Sequence, residues 1–208
     1  MKEKSDLPAD TSHSVSASVS LPNVLSSTSS VDSAVAQRTD STTENSLSVV
    51  TPSPAPFSDA ALETLRDELI IPVTGVFSRE LRDTFTEARG SNRVHDAIDI
   101  PAPRGTPVIA ATPGRVLKLF TSKAGGLMVY AADSSERFIL MYAHLDGYAP
   151  DLIDGAPLKR GQTIGSVGTT GNAPPNVPHL HFAIARSADI SKWWQGAAVN
   201  PYTLLKNK

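Results

Sequence analysis

The chain of 208 residues has no cysteine. That excludes disulfides, thiolate metal sites, a cysteine nucleophile and a lipid-bearing cysteine, and it leaves the redox compartment open. No apolar run approaches the length of a membrane-spanning helix. Met1-Lys2-Glu3-Lys4 is followed by polar residues. Either the protein is cytosolic, then, or the numbering starts after a removed signal or anchor. A surplus of charge is missing too. The net charge is −2. Residues 1–56 carry three basic and six acidic side chains, a net −3, which leaves the remainder at about +1. That balance carries no electrostatic footprint for nucleic acid.

Glycine and aromatic residues are absent from residues 1–56. All 13 glycines, six Phe, four Tyr and two Trp lie from Phe57 onward. A stretch rich in Ser, Thr, Val and Ala, with Pro near its end, has too little large apolar surface to offset its ordering entropy. Residues 1–56 are therefore expected to be a disordered Ser/Thr/Pro-rich tail or linker. As a flexible chain it would span roughly 35–45 Å and act as a tether. Residues 57–70 read as a lead-in helix: Ser58 is the candidate N-cap, Ala61, Leu62, Leu65 and Leu69 recur at helical spacing, and Pro72 ends it. Residues 71–208 form the folded domain. A short helical piece is expected around Glu80-Leu81-Arg82-Asp83.

From there the chain reads as strands and turns. Candidate strands are Pro107–Ala111, Arg115–Phe120, Leu127–Ala131, Arg137–Ala143, Gln162–Val167 and His179–Ala185. Pro113-Gly114, Gly125-Gly126, Asp154-Gly155 and Pro174-Pro175 punctuate them. No helix is visible after residue 90. The fold class expected is mainly β, a compact antiparallel sheet core with short N-terminal helices.

Four of the five histidines lie in three short segments: Val94-His95-Asp96-Ala97-Ile98-Asp99, Tyr142-Ala143-His144-Leu145, and His179-Leu180-His181-Phe182. In a strand, residues two apart share a face, about 6–7 Å apart. His179 and His181 then face one side while Leu180 and Phe182 face the core. His95 and Asp99 would lie about 13 Å apart in a straight strand, too far to share an ion. Pro101 and Pro103 argue against a helix there. The chain must bend near Asp96-Ala97 if both are to reach one metal. Singly, each segment could be a surface loop or strand end. Together they supply enough imidazole and carboxylate to hold one zinc and work its water.

His95-X3-Asp99, then His144, then His179-X-His181 resembles the M23 family of zinc metallopeptidases, the lysostaphin and LytM type. The surrounding Asp99-Ile100-Pro101-Ala102-Pro103-Arg104-Gly105-Thr106-Pro107, Gly161-Gln162-Thr163-Ile164-Gly165, Gly168-Thr169-Thr170-Gly171 and Asn200-Pro201 are similar to that family as well. The resemblance implies a LytM-like β-sheet core, related to barrel-sandwich hybrids. It implies one zinc ion on His95, Asp99 and His181, with His144 and His179 as catalytic residues. No His-Glu-X-X-His is present, so proton transfer would fall to the histidine pair. Many Gram-positive members carry a tyrosine upstream of the first ligand. Here Arg89 or Arg93 stands in its place as an oxyanion or substrate contact. Ala97 replaces a residue that is often Gly. The implied function is endopeptidase cleavage of peptidoglycan cross-links in the cell envelope, by a monomer whose partners are stem peptides, with no nucleic acid and no obvious protein partner. The alternative is a degenerate LytM-type domain that binds and activates other cell-wall hydrolases; such members generally lose metal ligands. A lipoyl-type carrier module would need an exposed lysine at a hairpin tip, and none stands out. The Gly125-Gly126 and Gly168–Gly171 turns are expected to shape the groove walls.

Overall fold

The computed structural model describes residues 59–90 and 93–208. The expected tail and the Ser58 cap lie outside the described residues. Helix α1 (Asp59–Glu68) turns Leu65 into the core, and Leu69, just past its end, joins it. It ends before Pro72, because Ile70 N–H leaves the helical ladder and donates to Ala111 O at 2.9 Å. The short helical piece is a 3-10 turn at Ser78–Glu80, slightly earlier than expected, and Leu81 is already extended.

Among the described residues nine strands follow in one antiparallel sheet: β1 (Ile98–Pro101), β2 (Pro107–Ile109), β3 (Gly114–Ser122), β4 (Gly126–Asp133), β5 (Phe138–Tyr148), β6 (Pro157–Leu158), β7 (Thr163–Val167), β8 (His179–Arg186) and β9 (Ala197–Val199). Their main order is β1-β8-β5-β4-β3-β6, with β2 and β5 flanking β7, and β9 on β8. The six expected strands are present with slightly different ends. β1, β6 and β9 were not read from the sequence, and neither was helix α2 (Pro201–Leu205), which corrects the expectation of no helix after residue 90. The α2 signal was legible. Asn200 caps the helix by accepting from Tyr202 N–H at 2.9 Å, and Pro201 occupies the first turn.

Period-two alternation explains the layering. Leu180, Phe182 and Ile184 of β8 are fully buried, while His179 and His181 take the opposite face. Ile98 and Ile100 of β1 and Leu140 and Tyr142 of β5 join the same core. The Tyr142 hydroxyl is satisfied there as acceptor from Ala111 N–H at 3.0 Å. Each such large apolar side chain contributes about 1.5–3 kcal/mol by burial. Among the described residues, no helix is long and apolar enough to cross a membrane.

Candidate metal centre

Strand register assembles the site. β1 and β8 pair with Asp99 opposite His181 and Pro101 opposite His179. β5 and β8 pair with Ala143 opposite His181, which brings His144 to the same end. His95 arrives through the expected bend: Asp96 has φ 53°, a left-handed conformation, and the chain enters β1 only at Ile98. Such backbone is uncommon outside glycine, though aspartate tolerates it better than most residues.

His95 Nε2, Asp99 Oδ1 and His181 Nδ1 form a near-equilateral triangle. The nitrogens are 2.9 Å apart. Asp99 Oδ1 lies 3.1 Å from His95 and 3.3 Å from His181. A tetrahedral zinc with bonds near 2.0–2.1 Å separates its donors by about 3.3 Å, so the three atoms fit that ion. Two ring nitrogens 2.9 Å apart also need a proton or a cation between them. The three residues form a group that could hold a metal.

Three Nδ1 atoms face backbone carbonyls, which only accept. His95 Nδ1 lies 2.9 Å from Thr84 O and 3.1 Å from Arg89 Nη2; the tautomer that donates to Thr84 O leaves Nε2 bare for the cluster. His144 Nδ1–H donates to Thr170 O at 2.8 Å, and His179 Nδ1–H to Val177 O at 2.7 Å. Both rings then present a bare Nε2, and that of His179 is 3.8 Å from Asp99 Oδ1. The His144 ring lies 5.0 Å from the His179 ring and 5.7 Å from that of His181.

Electrostatics favour this arrangement. Burial pushes the His181 imidazole below its ordinary pKa, against the Asp99 hydrogen bond, and so favours the neutral form a metal requires. His144 is pushed down by burial as well, partly countered by its Thr170 hydrogen bond. At Asp99 burial opposes ionisation, but hydrogen bonds and charge from His181 and His95 outweigh it and hold the carboxyl well below the usual range.

A groove of about 660 Å³ opens over the cluster, with Phe120, Met128 and Tyr130 on its apolar wall and Arg93 on its rim. Arg89 lines the groove too, but its guanidinium is engaged by Asp99 and Glu87 and lies against His95 Nδ1. The glycine turns divide in role. Gly125 lines the groove, whereas Gly168 and Gly171 pack tightly against Asp146 and against Ala124–Gly126.

Several contributors were not found from the sequence. Thr84 and Thr170 orient His95 and His144 by their carbonyls, a role that no side-chain pattern signals. Phe120, Tyr130, Trp193 and Trp194 form an aromatic cluster with ring centroids 4.7–5.3 Å apart. A second pocket of about 260 Å³ touches His95, His181, Trp193 and Trp194. The adjacent tryptophans, with Trp194 60% exposed, were the available clue.

Residues 93–201 match peptidase family M23. The chain is 32% identical over 132 residues to an L-Ala--D-Glu endopeptidase of Bacillus subtilis, covering 60% of this chain and 39% of that protein. It is 38% identical over 93 residues to the peptidoglycan DD-endopeptidase ShyC of Vibrio cholerae, covering 45% and 20%. The chain thus spans well under half the length of these relatives. Among solved structures, it is similar to lysostaphin from Staphylococcus simulans, with TM-score 0.51, 26% identity and coverage of 62% and 49%. A point mutant of the catalytic domain of the prophage-encoded M23 protein EnpA from Enterococcus faecalis is similar at TM-score 0.51 and 25% identity, with coverage of 65% and 95%.

Proposed function

The chain belongs to peptidase family M23, and from that premise we propose that it is a zinc-dependent endopeptidase that hydrolyses peptide cross-links of bacterial peptidoglycan in the cell envelope. The observation that carries this reading is the triangle of His95 Nε2, Asp99 Oδ1 and His181 Nδ1, matched to tetrahedral zinc and flanked by two further imidazoles. Three protein donors leave one position open, as catalytic rather than structural zinc sites do.

His95, Asp99 and His181 would hold the ion. When bound, zinc supplies Lewis acidity toward a scissile carbonyl and toward water. The chain's own residues do the rest. His144 Nε2, with its Nδ1–H locked on Thr170 O, accepts a proton from the attacking water. His179 Nε2, locked likewise through Val177 O and 3.8 Å from Asp99 Oδ1, donates to the developing oxyanion once protonated. The apolar wall of Met128, Tyr130 and Phe120 gives the substrate's apolar groups a surface to pack on. Arg93 on the rim meets the substrate. The full donor set and both histidines favour an enzyme over a non-catalytic activator.

Digestion of purified peptidoglycan by the zinc-loaded chain tests this. Shorter, uncrosslinked muropeptides are expected from the unmutated protein and not from His144→Ala. Identical product profiles from both would refute the enzyme reading, and mass analysis of the products names the bond cut.

A further inference from the structure

Asp99 uses its two oxygens differently. Oδ1 faces His95 Nε2 at 3.1 Å and His181 Nδ1 at 3.3 Å. Oδ2 is capped by Arg89 Nη2 at 2.6 Å. The arginine is itself placed. Its backbone N–H donates to Arg93 O at 2.8 Å, Ala88 bridges Val94, and the same Nη2 lies 3.1 Å from Glu87 Oε2 and 3.1 Å from His95 Nδ1. The segment bearing it also holds the other outer contacts of the site. Thr84 O takes the His95 Nδ1 proton, and Thr84 Oγ1 accepts from Asp99 N–H at 3.1 Å. Residues 84–89 precede the stretch that matches the family.

We propose that Arg89 is a positioning residue that caps Asp99 Oδ2 and so confines Asp99 to one-oxygen ligation of the metal. The inference rests on the reading of the cluster as a metal site. Its physical basis is the permanent charge of the guanidinium, whose Nη2 makes one short charge-assisted hydrogen bond to Asp99 Oδ2 and so holds that oxygen away from the cluster. With Oδ2 engaged, the carboxylate offers Oδ1 alone and the open coordination position stays open. This places Arg89 behind a ligand rather than on the oxyanion, and separates it from Arg93, which remains the arginine at the groove rim.

Zinc and cobalt binding to the full chain tests the assignment without reference to turnover. Chelator competition is expected to show the zinc Kd of Arg89→Gln raised about 10–100-fold, the usual cost of losing an outer partner of a ligand. The visible spectrum of the cobalt-substituted protein is expected to weaken from a four-coordinate to a five-coordinate pattern as Asp99 becomes bidentate. Urea unfolding of the metal-free forms checks that the variant folds. An unchanged Kd and cobalt spectrum in a folded R89Q overturns the proposal. If R89Q does not fold, Arg89→Lys replaces it. R89K keeps the charge but loses the Nη2 that meets Asp99, Glu87 and His95 together, and its Kd is expected to rise severalfold. Wild-type affinity in R89K would then overturn the proposal. Unmutated protein that binds no metal refutes the metal site itself, an outcome distinct from failure of the capping role.

Discussion

His144 has φ 61°, a left-handed backbone inside a strand, at the point where β5 exchanges one partner for another. Up to Ala143 the strand pairs with β8, and from Leu145 it pairs with β7. Strained backbone of this kind costs about 1–3 kcal/mol and persists where the surroundings over-determine it. Here His144 N–H donates to Gly125 O and its ring to Thr170 O, both at 2.8 Å. His144→Ala is expected to lower kcat by about 10²–10⁴-fold, the range for a lost general base, while zinc content stays at wild type. The pH dependence follows from the same residue. The acceptor form is the neutral ring, and burial lowers its pKa from about 6.5, which keeps it neutral further into acid. The kcat/KM profile on a soluble cross-linked muropeptide is expected to hold its plateau down through about pH 6.5 and fall only below it. An acid limb centred above about pH 7 would contradict the assignment.

The loop Gly168–Gly171 is the element that ties His144 and His179 to the sheet. Gly168 bridges His179, and Thr170 O holds His144. The Thr170 hydroxyl donates to Leu145 O at 2.7 Å and accepts from Leu127 N–H at 3.0 Å, which clamps β4 to β5 beside the bulge. Gly171 has φ 75°, and a Cβ there would lie 2.3 Å from both Ala124 O and Gly126 N. Gly171→Ala is therefore expected to destabilise by about 1–3 kcal/mol in urea unfolding, through strain and backbone collision. Because the loop carries the His144 anchor, its kcat is expected to fall more than its zinc affinity. A variant that loses zinc and activity in parallel would instead indicate that the loop supports the ligands.

At the scale of the whole molecule, the sheet's two faces are coupled through β8. Leu180 and Phe182 sit in the core directly behind His179 and His181. Leu180→Ala is expected to cost about 2–5 kcal/mol by denaturant titration, as a cavity opens under the ligand strand. Metal links the site back to stability: zinc at about 1,000 times its Kd adds about 4 kcal/mol. Chelation is accordingly expected to lower Tm and abolish peptidoglycan digestion together, with zinc restoring both. Much of this was legible in the chain. The alternation around His179-Leu180-His181-Phe182 is a local, period-two property, so both the strand and the face of each imidazole follow from residue order. The need for a bend near Asp96-Ala97 follows from the reach of four residues. β1 was missed because two prolines lie in and just beyond its four residues, and its pairing to β8 depends on an edge position where Pro101 is tolerated. The sequence by itself determined which side chains could meet a metal and that they lie on short strands, because side-chain alternation and chain reach are local. Only the tertiary structure decided that Asp99 faces His181 across a ladder, that His144 enters through a strained bulge, and that backbone carbonyls of Thr84, Thr170 and Val177 orient the rings of His95, His144 and His179. Those are contacts between residues distant along the chain or made by the backbone, and no side-chain pattern encodes them.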